Sequence, residues 1–160
     1  MEIAIRDWVR ADSSTIAAHW IAAYRQAGPD DRPLRHDAER VLAVWVKDRQ
    51  RDRGTLGHVA ESEGEFAGFA IGRVVDWGTE PPILKPVRVG VIEAVYVSEP
   101  FRRLGVGTGL VEHIRNQLES RGVVRLETSY ETGDAAAAQM WGKIGFRSQI
   151  QMASLLVGTR

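Results

Sequence analysis

The amino-acid sequence predicts an α/β fold, of the α+β kind, in which one mixed β-sheet carries helices on both faces. Its 160 residues suit a single domain, residues 1–160, with an extended core. Apolar runs and helical patterns follow one another in the order β-α-α-β-β-β-α-β-α-β. Because this order is not a strict β-α alternation, a mixed sheet fits better than a parallel one.

Composition and charge narrow the classes of function. The chain has 44% hydrophobic and 26% charged residues, which is ordinary for a soluble protein. Its 21 basic residues balance 21 acidic ones, which disfavours nucleic acid and membranes as partners. Cysteine is absent, which removes disulfides and thiolate catalysis. No apolar run approaches the ~20 residues of a membrane span, and the N-terminus lacks a signal-peptide pattern, so we expect a cytoplasmic location.

Three elements are predicted in the N-terminal third. Glu2–Val9 alternates polar and apolar residues, as a half-buried first strand does. A helix is predicted from the capping residue Asp12 to Gly28-Pro29, with apolar residues at four-residue spacing: Ile16, Trp20 and Tyr24. A second helix begins near Asp37 and turns three apolar residues inward: Val41, Leu42 and Trp45.

Two strands and a proline-rich loop follow. Leu56–Ser62 and Glu65–Asp76 flank a turn, which predicts a hairpin. Gly68 and Gly72 on its second arm indicate bulges or close backbone approaches. Gly78–Pro86 is predicted to be a loop because prolines disfavour both a helix and a ladder, and it precedes the stretch that organises the chain.

That stretch is Val91–Gly109. It opens with a buried strand, Val91–Val97, and continues through the turn Arg102–Thr108 into an amphipathic helix. Gly105 and Gly107 lack a Cβ, so a ligand can approach the unpaired N–H groups that open the helix. Because a helix N-terminus favours anions, the stretch predicts a phosphate or pyrophosphate site.

Two phosphate-binding motifs do not match this turn. A Walker loop requires a lysine before its Ser/Thr, whereas Gly107 directly precedes Thr108. A dinucleotide fingerprint requires a third glycine where this chain has Leu110, so a Rossmann-like nucleotide binder is disfavoured.

Two motifs together resemble the GNAT superfamily of N-acetyltransferases. The first, Arg102-x-x-Gly105-x-Gly107 after an apolar strand, resembles the acyl-CoA loop of that family. The second lies downstream with the family's spacing: Asp134-x-x-Ala137-x-x-Met140-Trp141-x-Lys143-x-Gly145-Phe146. The resemblance covers about Phe66–Phe146 well and the N-terminal third only by its pattern of elements.

The resemblance implies a GNAT fold, with splayed parallel strands at the acyl-CoA site, Val91–Val97 and Val123–Ser129. The sequence pattern itself predicts a helix at Ala135–Ile144 and a last strand or pair of strands at Phe146–Val157. The implied acyl donor is acetyl-CoA, without a metal. The implied contacts to it are Val95, Tyr96, Val97, Arg102, Arg103, Leu104, Gly105, Val106, Gly107, Thr108, Asp134 and Trp141.

Glu93 is the candidate general base. An alkylammonium must lose a proton before it can attack a thioester, and a carboxylate commonly removes it. Glu93 is predicted to share a buried face with Val91 and Val95, at a position where GNAT sequences often carry an acid. The alternative is a carboxylate that orients the substrate or is structural, with an arginine partner: Arg73, Arg88 or Arg125.

The general acid is where the sequence departs from the family. Trp141 stands where a tyrosine is common, and an indole N–H cannot serve as an acid. Asp134 stands where asparagine is more common. Tyr130 is the first substitute for the missing acid, with Tyr96 and solvent as alternatives.

The histidines offer other bases. His36, in the loop between the first two helices, could reach an acceptor. The others are expected to be surface or satisfied side chains: His19, His58 and His113. No pair has the spacing of metal ligands, so no metal is predicted.

The sequence thus predicts an acetyl-CoA-dependent N-acetyltransferase that acts by direct attack of a primary amine, without a covalent enzyme intermediate. A small amine is favoured over a protein lysine or N-terminus, and three acids are expected to attract a cation to the acceptor mouth: Asp76, Glu80 and Glu93. The alternative function is a non-catalytic acyl-CoA-binding or regulatory module. A homodimer is left open.

Overall fold

The computed structural model describes residues 2–27, 32–77 and 82–158. In these residues the order of elements is β1-α1-α2-β2-β3-β4-α3-β5-α4. The strands are β1 (Ala4–Asp7), β2 (Thr55–Ser62), β3 (Glu65–Trp77), β4 (Val87–Val97) and β5 (Arg125–Thr128). The helices are α1 (Ser13–Gln26), α2 (Ala38–Arg49), α3 (Val106–Ser120) and α4 (Ala135–Ile144), with short 3-10 turns at Arg10–Asp12 and Glu99–Phe101.

The strands form one sheet in the order β1-β2-β3-β4-β5. Neighbours pair antiparallel from β1 to β4, whereas β4 and β5 pair in parallel. The predicted mixed sheet is therefore confirmed. The parallel pair is joined through α3, as a parallel connection requires a crossover.

Helices cover both faces of the sheet, as predicted. Side chains of β3 alternate between the faces, so that Phe69 and Ile71 pack toward α1 and α2, whereas Ala70 packs toward α3. The α1–α2 face is rich in aromatic side chains: Trp8, Trp20, Trp45, Phe66, Phe69 and Tyr96. The α3 face is mostly aliphatic and is also covered by α4.

The predicted apolar face of α3 is fully buried: Leu110, Val111, Ile114 and Leu118. Glycines let the backbones approach, since a Cβ at Gly68 would lie 2.4 Å from the Tyr96 carbonyl oxygen and one at Gly72 would lie 3.0 Å from Ile114. The close approaches predicted at these two glycines are confirmed. Among the described residues no helix is long and apolar enough to cross a membrane.

The last predicted strand is wrong. Phe146–Val157 has no helix or strand, and its apolar side chains after Phe146 are exposed, Ile150 by 89%. Alternation gives a segment the propensity for a strand, but a strand forms only where another one pairs with it. The proline-rich loop, Gly78–Pro86, lies partly outside the described residues, and its described part has no regular structure.

Candidate functional site

The strand β4 has neighbours on both sides along its first half and on one side along its second. Val89–Ile92 pairs with Arg125–Thr128, and β5 ends there. The Thr128 hydroxyl donates to the Ile92 carbonyl at 3.0 Å and closes the parallel pairing. On the other side, β3 follows β4 as far as Val97. The two parallel strands therefore separate after Ile92, as predicted for the splayed pair.

Backbone groups of Val95 and Val97 point into this gap. In an antiparallel ladder, successive residues direct their N–H and C=O groups to alternate sides. The Ser98 N–H donates to the Ala67 carbonyl in β3 at 2.9 Å, so Tyr96, two residues before Ser98, also directs its backbone groups toward β3. Of the three β4 residues expected to offer backbone groups, two therefore face the gap and Tyr96 does not.

The turn before α3 leaves backbone N–H groups without protein acceptors. Gly105, the N-cap residue, has a left-handed conformation with φ of 82°, and Arg103 also has a positive φ of 65°. No side chain caps the helix, and within the described parts of the chain no N–H group of residues 103–108 donates a hydrogen bond. Arg102 lies beside them, with Nε donating to the Val97 carbonyl at 3.1 Å. The predicted strand, glycine turn and helix start are thus confirmed as a local structure.

The two glycines of the turn have different roles. Gly105 has open space where a Cβ would be, so its glycine serves the left-handed backbone. Gly107 is buried in the first turn of α3, and a Cβ there would lie 3.1 Å from the Met140 sulfur. Gly107 therefore lets α3 pack closely against α4, a role that the turn's sequence alone did not distinguish from ligand approach.

A cavity of about 300 Å³ opens where β4 and β5 separate. Its walls come from α1, the second half of β4, the residues after β5, and α4. Most of the lining is aromatic or apolar, with two carboxylates from opposite sides, Glu93 and Asp134, and a third from Glu131. The other lining residues are Trp20, Ala23, Tyr24, Phe69, Ala94, Val95, Tyr96, Thr128, Ser129, Tyr130, Ala137, Met140 and Trp141.

Glu93 is the extra residue of a β-bulge in β4. Ile92 and Ala94 lie opposite consecutive residues of β3, so Glu93 has no partner across the ladder. The bulge reverses the alternation: Glu93 contacts α2, whereas Val95 packs in the α3 cluster. The prediction that Glu93 and Val95 share a face is therefore wrong, because the period of two does not continue through a bulge.

The Glu93 carboxylate is held by two arginines. Its Oε1 lies 2.6 Å from Nε of Arg73 and 3.1 Å from Nη2 of Arg49. The Arg49 guanidinium also lies 4.7 Å above the ring of Trp45. The other oxygen, Oε2, is buried and accepts no hydrogen bond in the described residues. Arg73 was among the arginine partners considered for Glu93; Arg49, from α2, was not.

These arginines also change the charge expected at the acceptor mouth. Glu93 has two cationic partners, and Asp76 is paired with Arg88 at 3.1 Å. Glu80 lies outside the described residues. Among the described residues Glu93 and Asp76 are therefore compensated by arginines, whereas the other two carboxylates of the cavity, Glu131 and Asp134, form no ion pair there.

A comparison with known families decides the identity of this fold. The model described as Acetyltransferase (GNAT) family matches residues 14–146. The chain belongs to the GNAT family. The family predicted from the two motifs is therefore confirmed.

Curated relatives and solved structures extend this comparison. The chain is 38% identical over 65 residues to an N-alpha-acetyltransferase of Sulfolobus acidocaldarius, which is 39% of this chain and 38% of that protein. It is 30% identical over 83 residues to the [ribosomal protein bS18]-alanine N-acetyltransferase of Escherichia coli, 52% of this chain and 49% of that protein. These matches span half or less of each relative. A predicted acetyltransferase with acetyl-CoA from Clostridium acetobutylicum has the same fold, with a TM-score of 0.76 at 16% identity over 97% of this chain and 96% of that chain.

The second GNAT motif builds the start and the core side of α4. Asp134 caps the helix, since its Oδ1 accepts from the Ala137 N–H at 2.9 Å. Trp141 is only 5% exposed and packs edge-to-face on Phe146, with ring centroids 4.9 Å apart. Both residues also line the cavity. In this GNAT chain the aromatic residue of the motif therefore contributes packing and a wall, without an ionisable hydroxyl.

Besides Tyr24 on α1, two tyrosines line the cavity from opposite sides of the gap. Tyr130 follows β5, is 37% exposed, and has its hydroxyl 3.5 Å from that of Ser148. Tyr96 on β4 has its hydroxyl 3.3 Å from Nδ1 of His19. His19 itself is stacked on Phe66, with centroids 4.5 Å apart, and burial lowers the pKa of its imidazole.

His19 was expected to be a surface or satisfied histidine, and its contact with a cavity residue was missed. The sequence did contain a signal for it, because His19 follows the buried Ile16 by three residues and therefore lies on the inner face of α1. His36 is exposed and is not part of the cavity wall. His58, on β2, is buried beside Asp7 and beside His113 of α3. The described residues contain no cluster suited to a metal ion.

Proposed function

We propose that this GNAT chain transfers an acetyl group from acetyl-CoA to a primary amine by direct attack. The observation that carries the proposal is the gap between β4 and β5 beside the free N–H groups at the start of α3. An extended arm that carries amides fits a strand edge with unpaired groups, and a pyrophosphate fits a helix N-terminus.

The residues present fit this donor. The backbone groups of Val95 and the N–H of Val97, whose carbonyl already accepts from Arg102, would pair with its amides, and the N–H groups of residues 103–108 would hold its phosphates. The exposed side chains of Arg102 and Arg103 add positive charge there. The remaining proposed contacts are the side chains of Leu104, Tyr96, Trp141 and the α4 cap Asp134. When bound, acetyl-CoA would supply the activated acetyl thioester.

Glu93 is the proposed base. Its Oε1 is fixed by Arg49 and Arg73, so the carboxylate is held in one orientation at the cavity wall. Its Oε2 is buried and accepts no hydrogen bond in the described residues, so we propose that this oxygen receives the proton of the acceptor amine through a water that enters from the cavity. The proton donor to the leaving thiolate stays open at this point among Tyr130, Tyr96 and solvent.

A small primary amine is the proposed acceptor, since the cavity of about 300 Å³ is walled by aromatic side chains. The N-terminal amine of a protein is the second candidate, supported by relatives named as N-alpha- and ribosomal-protein-alanine acetyltransferases. A cytoplasmic location and a homodimer stay predictions from the sequence.

Release of free thiol from acetyl-CoA tests the proposal. The acceptor panel should contain alkylamines, amino acids, aminoglycosides, polyamines and peptides with a free N-terminus, with acetyl-CoA binding measured in parallel by calorimetry. We expect binding and acceptor-dependent thiol release. Binding without release for any acceptor would instead support a non-catalytic acyl-CoA-binding module, which the indole of Trp141 at the motif's tyrosine position favours. Absence of binding would contradict both functions.

A further inference from the structure

The departing thiolate of the proposed reaction has no tyrosine at the usual place in this chain, because Trp141 occupies it. We infer that Tyr96, held in place by His19, protonates the thiolate. This inference rests on the proposed function. It assigns the acid to β4 and α1 rather than to α4.

Tyr96 is fixed at the cavity wall. It belongs to the second half of β4, directly after Val95, whose backbone faces the gap between the strands. Its ring stacks on Phe69, with centroids 5.9 Å apart and planes at 24°. The hydroxyl lies 3.3 Å from Nδ1 of His19. A phenol in this position has one neighbouring side chain that orients it and an open cavity beside it.

His19 is a positioning residue in this arrangement. Its ring is held by stacking on Phe66, with planes at 22°. Burial lowers its pKa, so the imidazole is neutral at neutral pH and carries one N–H. In the tautomer with a proton on Nδ1, that N–H donates to the Tyr96 oxygen and leaves the phenolic O–H free to point into the cavity. The same hydrogen bond stabilises the phenolate that forms when the proton leaves.

Tyr130 lacks this support. Its hydroxyl contacts only another hydroxyl, that of Ser148 at 3.5 Å, and more than a third of the residue is exposed. A serine hydroxyl rotates freely and fixes the direction of a neighbouring O–H less well than an imidazole N–H does. The geometry therefore favours Tyr96 over the tyrosine that the sequence placed first.

The proton balance of the step is closed. A bond forms between the amine nitrogen and the acetyl carbon as the carbon–sulfur bond breaks with its electron pair on sulfur. Glu93, the proposed base, accepts the proton that the amine loses and passes it to solvent. Tyr96 gives its hydroxyl proton to the sulfur, and solvent returns one proton to the phenolate after the products leave.

The test compares matched variants in the thiol-release assay. Tyr96→Phe keeps the ring and its stacking but removes the proton, so we expect kcat to fall about 100-fold with little change in the KM for acetyl-CoA. His19→Leu removes the imidazole N–H that orients the Tyr96 hydroxyl and should also lower kcat. His19→Asn keeps an N–H near the position of Nδ1 and should retain most of the turnover. The double variant Tyr96→Phe/His19→Leu should be no slower than Tyr96→Phe alone, because the two residues act as one unit. Thermal melting of each variant shows whether it folds.

Several outcomes would overturn the inference while leaving the proposed function standing. These are a folded Tyr96→Phe variant with wild-type kcat, equal losses for His19→Asn and His19→Leu, and a fall in turnover for Tyr130→Phe alone. If the wild-type protein binds acetyl-CoA but none of the acceptors in the panel leads to thiol release, the proposed function fails and the inference fails with it. An NMR titration of His19 adds a readout that needs no turnover: its pKa should change in Tyr96→Phe, and an unchanged titration would exclude the contact.

Discussion

The two halves of β4 belong to one strand but perform different tasks. Along Val89–Ile92 the strand lies between β3 and β5, and Val89 and Ile92 are buried in the core. Along Glu93–Val97 it has only β3 as a neighbouring strand, and every residue is partly buried. The first half holds the sheet together. The second half supplies every β4 residue that lines the cavity, from Glu93 to Tyr96.

The bulge at Glu93 marks the boundary between these halves. It turns a carboxylate toward α2 at the point where β5 ends, and two arginines compensate its charge. Unpaired backbone N–H and C=O groups and a charged side chain are both unfavourable inside a sheet. They are tolerated only where a ligand or an oppositely charged side chain can satisfy them. The candidate site therefore lies where the pairing of β4 with β5 ends.

The largest loss of turnover should come from removing the carboxylate of Glu93 at this boundary. Glu93→Gln keeps the shape and the contacts to the arginines but cannot take a proton, so we expect turnover to fall by about 10²–10⁴-fold with nearly unchanged affinity for acetyl-CoA. Steady-state thiol release measures it across a range of pH.

Glu127→Gln is the matched control from the paired half. Glu127 lies opposite Val91 and is also paired with an arginine, at 2.8 Å from Arg125, but it does not line the cavity. We expect wild-type turnover from this control. If both variants keep wild-type turnover, Glu93 is a structural carboxylate, and the functional contrast between the halves of β4 disappears.

A smaller effect is expected at the start of α3. Thr108 is exposed on the first turn, where the helix dipole favours a negative side chain. Thr108→Glu should therefore keep or slightly raise the melting temperature while it repels the phosphates. We expect the dissociation constant for CoA to rise about tenfold, equivalent to ~1.4 kcal/mol.

This position tests the anion site more cleanly than Gly107, where any side chain would press on Met140. Thr108→Gln has nearly the same size as Thr108→Glu without its charge, and calorimetry should show most of the affinity retained. Equal affinities for Thr108→Glu and the wild-type protein would place the phosphates elsewhere.

Much of the fold was predictable because it depends on local patterns. The apolar face of α3 and the hairpin of β2 and β3 follow from periods of 3.6 and 2, and both are present. The strand predicted at Phe146–Val157 failed for the opposite reason, since pairing depends on a neighbour that the segment's own sequence does not contain. Local propensity predicts which segments can be strands, but partners decide which of them become strands.

The site was predictable where a backbone motif builds it and not where side chains meet across the fold. The turn at Gly105 follows from the positions of the glycines. The pairing of Arg49 with Glu93 joins residues 44 positions apart, and that of His19 with Tyr96 joins residues 77 apart. The bulge placed Val95 on the α3 face, opposite to Glu93, so which residues share a face with Glu93 required the structure.

The smallest predicted effect is on the pH dependence of stability, and it concerns a histidine in the fully paired part of the sheet. His58 lies on β2 between β1 and β3 and is 1% exposed. Burial lowers its pKa, and a proton on the neighbouring His113 would act in the same direction, whereas Asp7, 3.1 Å from Nδ1 but without hydrogen-bond alignment, opposes it. His58 is therefore neutral in the folded protein at neutral pH.

The sign of the pH effect follows from this lowered pKa. Above the ordinary histidine value of about 6.5, both the folded and the unfolded chain carry a neutral His58, and the group costs no stability. As the pH falls below that value, the unfolded chain binds a proton that the folded chain resists, so the free energy of unfolding decreases on acidification. For a domain of this size, each kcal/mol lost lowers the melting temperature by about 2–4 °C. Melting curves between about pH 8 and pH 5 should show this decline, and His58→Gln should flatten it. His19, beside the open half of β4, has a pKa lowered in the same direction, so His19→Asn is the matched variant. If His58→Gln leaves the slope unchanged while His19→Asn removes it, the acid sensitivity belongs to the open half, and the paired sheet contributes none of it.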